Sequence, residues 1–297
     1  MTPVRLHCGV ADNRSESRHS GAVLPFLVGL ASVGLMYLLG AWMFASSRFG
    51  IVTAGIFALT PLIWRQVQDA PASLYPLPFV LGWLWAVAHF RDGRAPWWAA
   101  VAGGLLGLGV YSSRASAVMM PLYLVLTIAV FAPARAASPV QLAVFVGAFS
   151  VAAGPFALSL FLHPEDFRRV VTAYHLYDAH RFSVLQGVHE MVSWVGLTAR
   201  SETYYDYFKP SFLFLTGRVL FFPCVVLLPA GLYRILISES TPLARLSLAG
   251  FLTAPFAASL TTERPTPGRI LFITTFAAIV SSHGVQQLRS LRKRRAS

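Results

Sequence analysis

Long apolar runs are the feature that most constrains what this chain can fold into. A helix that crosses a hydrocarbon layer about 30 Å thick needs about 20 mostly apolar residues. The sequence holds about nine such runs, centred on 22–45, 50–64, 73–90, 97–113, 115–132, 139–162, 218–237, 242–261 and 269–288. The second run is short, so we expect that span to be tilted, short or partly re-entrant. The pattern predicts an all-α, polytopic transmembrane bundle.

Composition excludes a water-soluble enzyme. Only 12% of the residues are charged and 56% are hydrophobic, with a mean hydropathy of +0.60. Soluble domains carry about 25% charged residues and cannot bury this much apolar surface in one core. The formal net charge of +12 would suggest nucleic acid as the partner of a soluble protein. In so apolar a chain the usual cause is the bias of basic residues toward cytoplasmic loops, so membrane lipids are expected as partners and nucleic acid is not.

The distribution of charge predicts the domain limits and the orientation. A polar N-terminal segment, 1–21, precedes the transmembrane domain, 22–288, and a basic tail, 289–297, follows it. The only long polar connection is 163–217, which we expect to carry helices lying along the membrane surface. With that loop outside, the inner segments hold 11 basic and 2 acidic residues, a net charge of +9, against +3 for the outer segments. Basic residues favour the cytoplasmic side of a membrane. We therefore predict a multi-pass protein of a cell's inner membrane, with the basic tail on the cytoplasmic side.

The predicted number of spans conflicts with the charge of the N-terminus. Nine spans place residues 1–21 outside, although Arg5, Arg14 and Arg18 favour a cytoplasmic location. Two explanations remain open at this point. Either the second span does not cross the membrane, or an additional span precedes Met1.

Five stretches, which cover about residues 20–290, carry a family resemblance. They are LPFLVGLASVGLMYLLG, GIFALTPLIWRQVQDAPASLYPLPFVLGWLWAVAHFRDG, WWAAVAGGLLGLGVYSSRASAVMMPLYL, YYDYFKPSFLFLTGR and PFAASLTTERPTPGRILFITTFAAIVSSHG. Together, and in this order, they resemble GT-C-fold glycosyltransferases, the family of protein mannosyltransferases and aminoarabinose transferases.

The resemblance implies transfer of a sugar from a polyprenyl-phosphate donor to a glycan, lipid or protein acceptor on the outer face. Family members begin with one span and an outer loop whose acidic residue is catalytic. That part has no counterpart here, since Asp12 and Glu16 lie in an unrelated stretch, VADNRSESRHS. An upstream span would make the N-terminus cytoplasmic. We therefore expect one of two cases. Either the chain is a truncated gene product or has a mis-assigned start, or a separate polypeptide supplies the missing part and the catalytic acid.

Charged residues at the outer ends of spans are the first candidates for a site, because charge beside the hydrocarbon layer is costly. Asp69 matches a position where the family often carries an outward acid. It is expected to order the acceptor, bind a metal or pair with Arg65, or else simply to be hydrated. Arg65 is itself a substrate-binding candidate. Arg114, after Ser113, takes the place of a family Lys near the lipid phosphate, which a guanidinium binds bidentately. The alternative for Arg114 is an anchor in the lipid head groups.

The last outer loop, TTERPTPGR, and the aromatic segment YYDYFKP supply the remaining candidates. Arg269 is the closer match to a basic residue that the resemblance implies in donor binding. Arg264 is the second candidate, and both arginines have a loop salt bridge with Glu263 as the alternative. Tyr205 is expected either in the interfacial aromatic belt or stacked on a sugar.

No cofactor is firmly predicted, and a divalent metal remains an option. Some family members hold a metal in the long loop, where this chain has His175, Asp178 and His180. No two-His spacing there matches a standard site, so solvated surface is the preferred interpretation. Apolar residues from Phe167 to Tyr177 recur at a spacing typical of a surface helix.

Glycines recur in the fourth predicted span, at Gly103, Gly104, Gly107 and Gly109. Small residues let two helix backbones approach closely inside a membrane. We expect this run to be a helix-packing face and not a phosphate-binding loop.

The sequence thus predicts a membrane glycosyltransferase whose outer-end residues bind the donor. Two alternatives belong to other classes: a catalytically inactive or accessory protein that binds a lipid carrier, and a polytopic transporter. Transporters often show a repeated half with interrupted spans, and no convincing internal repeat is present here.

Overall fold

The chain folds into a bundle of α-helices. The computed structural model describes residues 14–69, 73–91, 96–163, 186, 189–190, 193–238, 241–260 and 266–296. The protein is 84% helical, and no strand occurs in these ranges, which confirms the all-α prediction. In chain order the helices are α1 (Arg14–Met43), α2 (Ser47–Ala58), α3 (Pro61–Asp69), α4 (Pro76–Arg91), α5 (Trp97–Gly109), α6 (Arg114–Phe131), α7 (Pro139–Leu162), α8 (Trp194–Asp206), α9 (Cys224–Ile237), α10 (Pro242–Thr253), α11 (Phe256–Ser259) and α12 (Phe272–Ala296). A π-helical turn covers Ser211–Thr216, and 3₁₀ turns cover Val110–Ser112 and Pro267–Ile270.

Three of the described helices are long and apolar enough to cross a membrane. The qualifying parts are Val23–Met43 of α1, all of α6, and Pro139–Leu160 of α7. Helices α4, α5 and α9 are apolar but shorter. The protein is therefore a membrane protein by helix length and composition, while the count of nine spans is not confirmed. Residues 14–21 of the predicted polar segment form the N-terminal turns of α1.

The second predicted span is broken into two helices. α2 ends at Ala58 and α3 begins at Pro61, with a bend of 53° between them. Pro61 lacks the N–H donor that would extend the hydrogen-bond ladder of α2 at this point. Thr60 Oγ1 donates to the Ile56 carbonyl at 2.8 Å, which satisfies one of the acceptors that the break leaves open. The expected short or re-entrant second span agrees with this geometry.

Proline also interrupts the predicted run 242–261, and a tyrosine hydroxyl enters the hydrogen-bond ladder of α7. Pro255 lies between α10 and the four-residue α11, so the run 242–261 does not form one continuous helix, and the span predicted there is not confirmed. In α7 the hydroxyl of Tyr111 inserts beside Pro155: it donates to the Ala152 carbonyl at 3.1 Å and accepts from the Phe156 N–H at 3.0 Å. A side chain inserted into the hydrogen-bond ladder is a known cause of helix bending.

Helix contacts define two ends of the bundle. α4 and α5 are antiparallel, since Gly82 lies against Leu105 while His89 stacks near Trp98. α5 and α7 run parallel. The end that holds α3, the α5–α6 junction and the 267–270 turn is called here the Arg65 end. The opposite end holds His89 and Arg289, whose guanidinium lies 5.3 Å from the centroid of the Phe49 ring, and is called the Arg289 end.

The first part of α12 is buried throughout, although this helix is rich in polar residues. Every residue from 270 to 284 is buried, and α12 packs against α9, α10 and α2. Thr274 and Ser282 donate to carbonyls of their own helix, at 2.7 and 2.8 Å. Hydrocarbon offers no partner for a hydroxyl, so a polar helix is more stable inside the bundle than facing lipid.

Glycines allow the closest helix contacts. A Cβ on Gly103 would overlap the Phe145 carbonyl of α7, and a Cβ on Gly107 would lie 2.8 Å from the Phe149 carbonyl. The packing role predicted for these two glycines is confirmed, whereas a Cβ on Gly104 would meet nothing within 4 Å. α9 and α12 approach in the same way, because a Cβ on Gly231 or on Gly284 would overlap a carbonyl of the other helix.

Alanine substitution at the two adjacent glycines of α5 is expected to have opposite effects. Gly103→Ala should lower the free energy of unfolding by about 1–3 kcal/mol, because α5 must move away from α7. Gly104→Ala should leave it unchanged or raise it by up to about 1 kcal/mol, because alanine is the better helix former. Thermal unfolding of detergent-solubilised protein, followed by circular dichroism, measures both. Equal effects at the two positions would contradict the assigned α5–α7 contact.

Candidate functional site

Helix α3 presents Arg65 at one end of the bundle. The side chain is exposed, and its Nη1 donates to the Gly217 carbonyl at 3.3 Å. Gly217 lies 152 positions later in the chain, directly after the π-helical turn. This bond joins α3 to the segment that precedes α9, and it leaves most of the guanidinium's donors directed elsewhere.

The next residue of α3, Gln66, points into the protein. Its side chain is only 7% exposed, and α3 packs against the turn Pro267–Ile270. Gly268 of that turn comes so close that an added Cβ would lie 3.1 Å from Gln66 Nε2. Arg269, the next residue, is half-buried. The contact therefore brings the predicted residues Arg65 and Arg269 to neighbouring segments.

Tyr207 joins a third segment, 207–218, to the place where α3 meets the 267–270 turn. The side chain is fully buried, and its ring meets Phe212 edge to face at 5.4 Å between centroids. Its hydroxyl accepts from the Thr266 N–H at 3.4 Å. Three segments distant in sequence, α3, 207–218 and 266–270, thus meet at one place. We call it the Arg65–Arg269 site.

A strained residue lies beside the site. Arg218 is exposed and has a φ of 46°, the left-handed region that costs a residue with a Cβ about 1–3 kcal/mol. It follows Gly217, whose carbonyl accepts from Arg65. The strain therefore falls at the residue directly after the carbonyl that Arg65 binds.

Arg114 belongs to a separate element at the same end. It is exposed and occupies the first position of α6, where Ser113 caps the helix by accepting from the Ser116 N–H at 3.2 Å. Helix α11 packs against both α6 and the 267–270 turn. α11 therefore links the start of α6 indirectly to the Arg65–Arg269 site.

The remaining predicted residues have different outcomes. Asp69 is the last residue of α3, four positions after Arg65, and its side chain lies outside the described residues. Arg264 and Glu263 lie outside them altogether. Tyr205 is 67% exposed and meets Tyr204 edge to face, with ring centroids 5.5 Å apart.

Lys209 is engaged in an ion pair and does not add to the cationic site. Its Nζ lies 2.6 Å from Asp206 Oδ1. The hydrogen bond to Asp206 raises the pKa of Lys209 above its ordinary value, and the charge of that carboxylate adds to the effect. The cations of the Arg65–Arg269 site are thus arginines.

A metal site is not found in the described ranges, where no group of three or more His, Cys, Asp or Glu side chains could hold an ion. His175, Asp178 and His180, like the expected helix from Phe167 to Tyr177, lie outside those ranges. Within the long loop 163–217, the structure does contain helix α8.

Sequence reasoning missed Gln66 and Gly268. A signal for Gln66 was present, because Leu62, Ile63 and Gln66 fall on one face of α3 and are all buried. A glutamine on an apolar face is a candidate for a specific partner. Gly268 carried no such signal, since TPGR is also an ordinary turn sequence.

Comparison with known proteins gives no relative: no family model, curated protein or solved structure matches this chain.

Tyr204 anchors α8 to the bundle, and its removal should weaken that attachment. Its hydroxyl donates to the Leu252 carbonyl of α10 at 2.5 Å. We expect Tyr204→Phe to lower the free energy of unfolding by about 0.5–1.5 kcal/mol at neutral pH, the usual net value of one hydrogen bond. Tyr205→Phe is the control, because that exposed side chain should tolerate the change. Chemical denaturation in detergent measures both variants.

The Tyr204 hydroxyl should also make the free energy of unfolding depend on pH in the alkaline range. Burial, and to a lesser degree Tyr205, raise the pKa of Tyr204 above its ordinary value. A raised pKa means that the folded protein keeps the proton more tightly. The stabilisation is therefore complete below the ordinary tyrosine pKa of about 10 and is lost as the pH rises above it. The difference between wild type and Tyr204→Phe should shrink above about pH 10; a constant difference would contradict the assignment.

Proposed function

We propose that this protein is a membrane glycosyltransferase that moves a sugar from a polyprenyl-phosphate donor to an acceptor on the outer face of the inner membrane. The observation that carries the proposal is the convergence of Arg65 and Arg269 on one place at one end of an apolar bundle. The GT-C resemblance of the sequence supports it. In this proposal the nine apolar segments cross the membrane, with the Arg65 end outside.

The donor phosphate would be bound by guanidinium groups. Arg65 and Arg269 lie on adjoining segments, and Arg114 begins α6 at the same end. Guanidinium binds phosphate through paired, charge-assisted hydrogen bonds, which also stabilise the negative charge that grows on a phosphate leaving group. Polar head groups and apolar helices meet at this depth, so a prenyl chain can remain in lipid while its phosphate reaches the arginines.

The transfer would be a single displacement with inversion. A hydroxyl oxygen of the acceptor forms a bond to the anomeric carbon of the sugar, and the bond from that carbon to the phosphate oxygen breaks. The electron pair of the broken bond leaves with the polyprenyl phosphate. A carboxylate accepts the hydroxyl proton as general base. Asp69, at the end of α3, is the candidate for that role.

A lipid-carrier-binding protein without transfer activity is the second candidate, and a transporter is the third. The same arginines would serve all three, because each must bind the carrier phosphate. Binding of the carrier without incorporation of sugar into an acceptor would favour the second.

Loss of the site arginines should reduce transfer strongly. Each of Arg65→Ala, Arg114→Ala and Arg269→Ala is expected to lower the rate about 10-fold or more, since a charge-assisted hydrogen bond contributes about 1.5–3 kcal/mol. The assay measures radiolabelled sugar passing from prenyl-phosphate donor to acceptor in membranes. Arg245→Ala is the control, because that exposed arginine lies in the first turn of α10. Unchanged rates in all three site variants would refute the site.

The orientation can be tested separately with cysteine labelling. In a chain with Cys8→Ser, an impermeant maleimide should label Thr216→Cys, an exposed position at the Arg65 end, in right-side-out vesicles. It should label Ala134→Cys, exposed between α6 and α7 at the Arg289 end, only in inside-out vesicles. The reverse pattern would show that the Arg65 end faces the cytoplasm.

A further inference from the structure

The side-chain oxygen of Gln66 is a buried hydrogen-bond acceptor to which no described residue donates. The side chain is more than nine-tenths buried, and its Oε1 has no hydrogen-bond partner among the described residues. Such an acceptor loses its hydration without gaining a replacement, which costs free energy. Leu62 and Ile63 on the same face show that a leucine would suit the position better. The glutamine is therefore explained best by a partner that is not part of these segments.

The position of this amide points to a ligand of the Arg65–Arg269 site. Gln66 follows Arg65 in α3 and faces Gly268, which precedes Arg269. Any residue larger than glycine at 268 would place its Cβ 3.1 Å from Gln66 Nε2. The absence of a Cβ at Gly268 lets the turn lie this close to the amide, between the segments that carry the two arginines.

The chemistry of these groups defines what they would bind together. Guanidinium groups donate hydrogen bonds to an anion, whereas a carbonyl oxygen only accepts them. A ligand that satisfies both carries a phosphate and a hydroxyl a short distance from it. A fully ionised prenyl phosphate has no hydroxyl at all, so it leaves the Gln66 oxygen unsatisfied.

We infer that Gln66 is a specificity-determining residue, which accepts a hydrogen bond from a hydroxyl of the group esterified to the phosphate at the Arg65–Arg269 site. The inference rests on the proposed function for the identity of that group, a sugar on a prenyl phosphate. Phosphatidylglycerol is a second source of the same chemistry, because its head group also joins a phosphate to hydroxyls. Gln66 thus distinguishes a loaded carrier from an empty one.

The test is a binding measurement on the purified full chain in phosphatidylcholine nanodiscs. The probes are prenyl phosphate alone and prenyl phosphate carrying glucose, mannose, galactose or arabinose. Phosphatidylglycerol is added as a competitor in a separate arm. The variant is Gln66→Leu, and the matched control is Gln68→Leu, an exposed glutamine on the same helix. Gln66→Met replaces the leucine variant if that variant does not fold.

Wild type should bind at least one glycosylated carrier about 5- to 10-fold more tightly than prenyl phosphate, the effect of one hydrogen bond. Gln66→Leu should abolish that preference and leave the affinity for prenyl phosphate within about 2-fold, while Gln68→Leu keeps the preference. A role in packing alone would weaken all probes equally. Competition by phosphatidylglycerol that disappears in Gln66→Leu also supports hydroxyl recognition, and identifies a lipid head group as its source.

The inference is overturned if wild type prefers none of the hydroxyl-bearing ligands over prenyl phosphate, or if Gln66→Leu and Gln68→Leu behave alike. Its failure can be distinguished from failure of the proposed function, because binding and transfer are separate readouts. If sugar is transferred but Gln66→Leu and Gln68→Leu have the same binding preference, only the inference about Gln66 is refuted. If the binding preference depends on Gln66 but no sugar is transferred, only the transferase proposal is refuted.

Discussion

Hydrocarbon cannot hydrogen-bond to a peptide group, and the rest of this structure follows from that constraint. Every apolar run must satisfy its own backbone, and helices do so within one segment. Where proline breaks a ladder, a hydroxyl takes over: Thr60 bonds to the Ile56 carbonyl before Pro61, and Tyr111 bridges Ala152 and Phe156 beside Pro155. Both repairs lie toward the Arg65 end, so the irregular backbone there is tolerated without exposing unpaired groups to lipid.

Close helix contacts determine where the polar helix α12 lies. Gly231 and Gly284 let α9 and α12 pack backbone against backbone, and dispersion contacts of this kind take the place of a hydrophobic driving force between helices in lipid. Fixing α12 at the centre of the bundle also fixes the turn Pro267–Ile270 that precedes it. Arg269 is therefore positioned by packing that occurs some distance along the helix.

The Arg65–Arg269 site combines local and long-range order. α3 holds Arg65 and Gln66 on adjacent positions that face different directions, one exposed and one buried. The partners of these two residues, Gly217 and Gly268, come from segments about 150 and 200 residues later in the chain. Charge at the predicted outer ends of spans was enough to select Arg65, Arg114 and Arg269 as candidates. It was not enough to show that α3 meets the 267–270 turn while Arg114 belongs to a neighbouring element.

Hydropathy and glycine spacing by themselves determined that the chain is an all-α membrane protein and that α5 has a glycine face for packing, whereas the structure decided that Gly103 and Gly107, and not Gly104, meet α7. Both are properties of a single segment, since apolarity over 20 residues and a period of 3.6 need no information about a partner. The tertiary structure alone decided the break at Pro61, the interruption at Pro255, and the burial of Gln66 against Gly268. Which residues meet depends on how segments far apart in sequence pack, because the free energy of close contact belongs to the pair and not to either sequence.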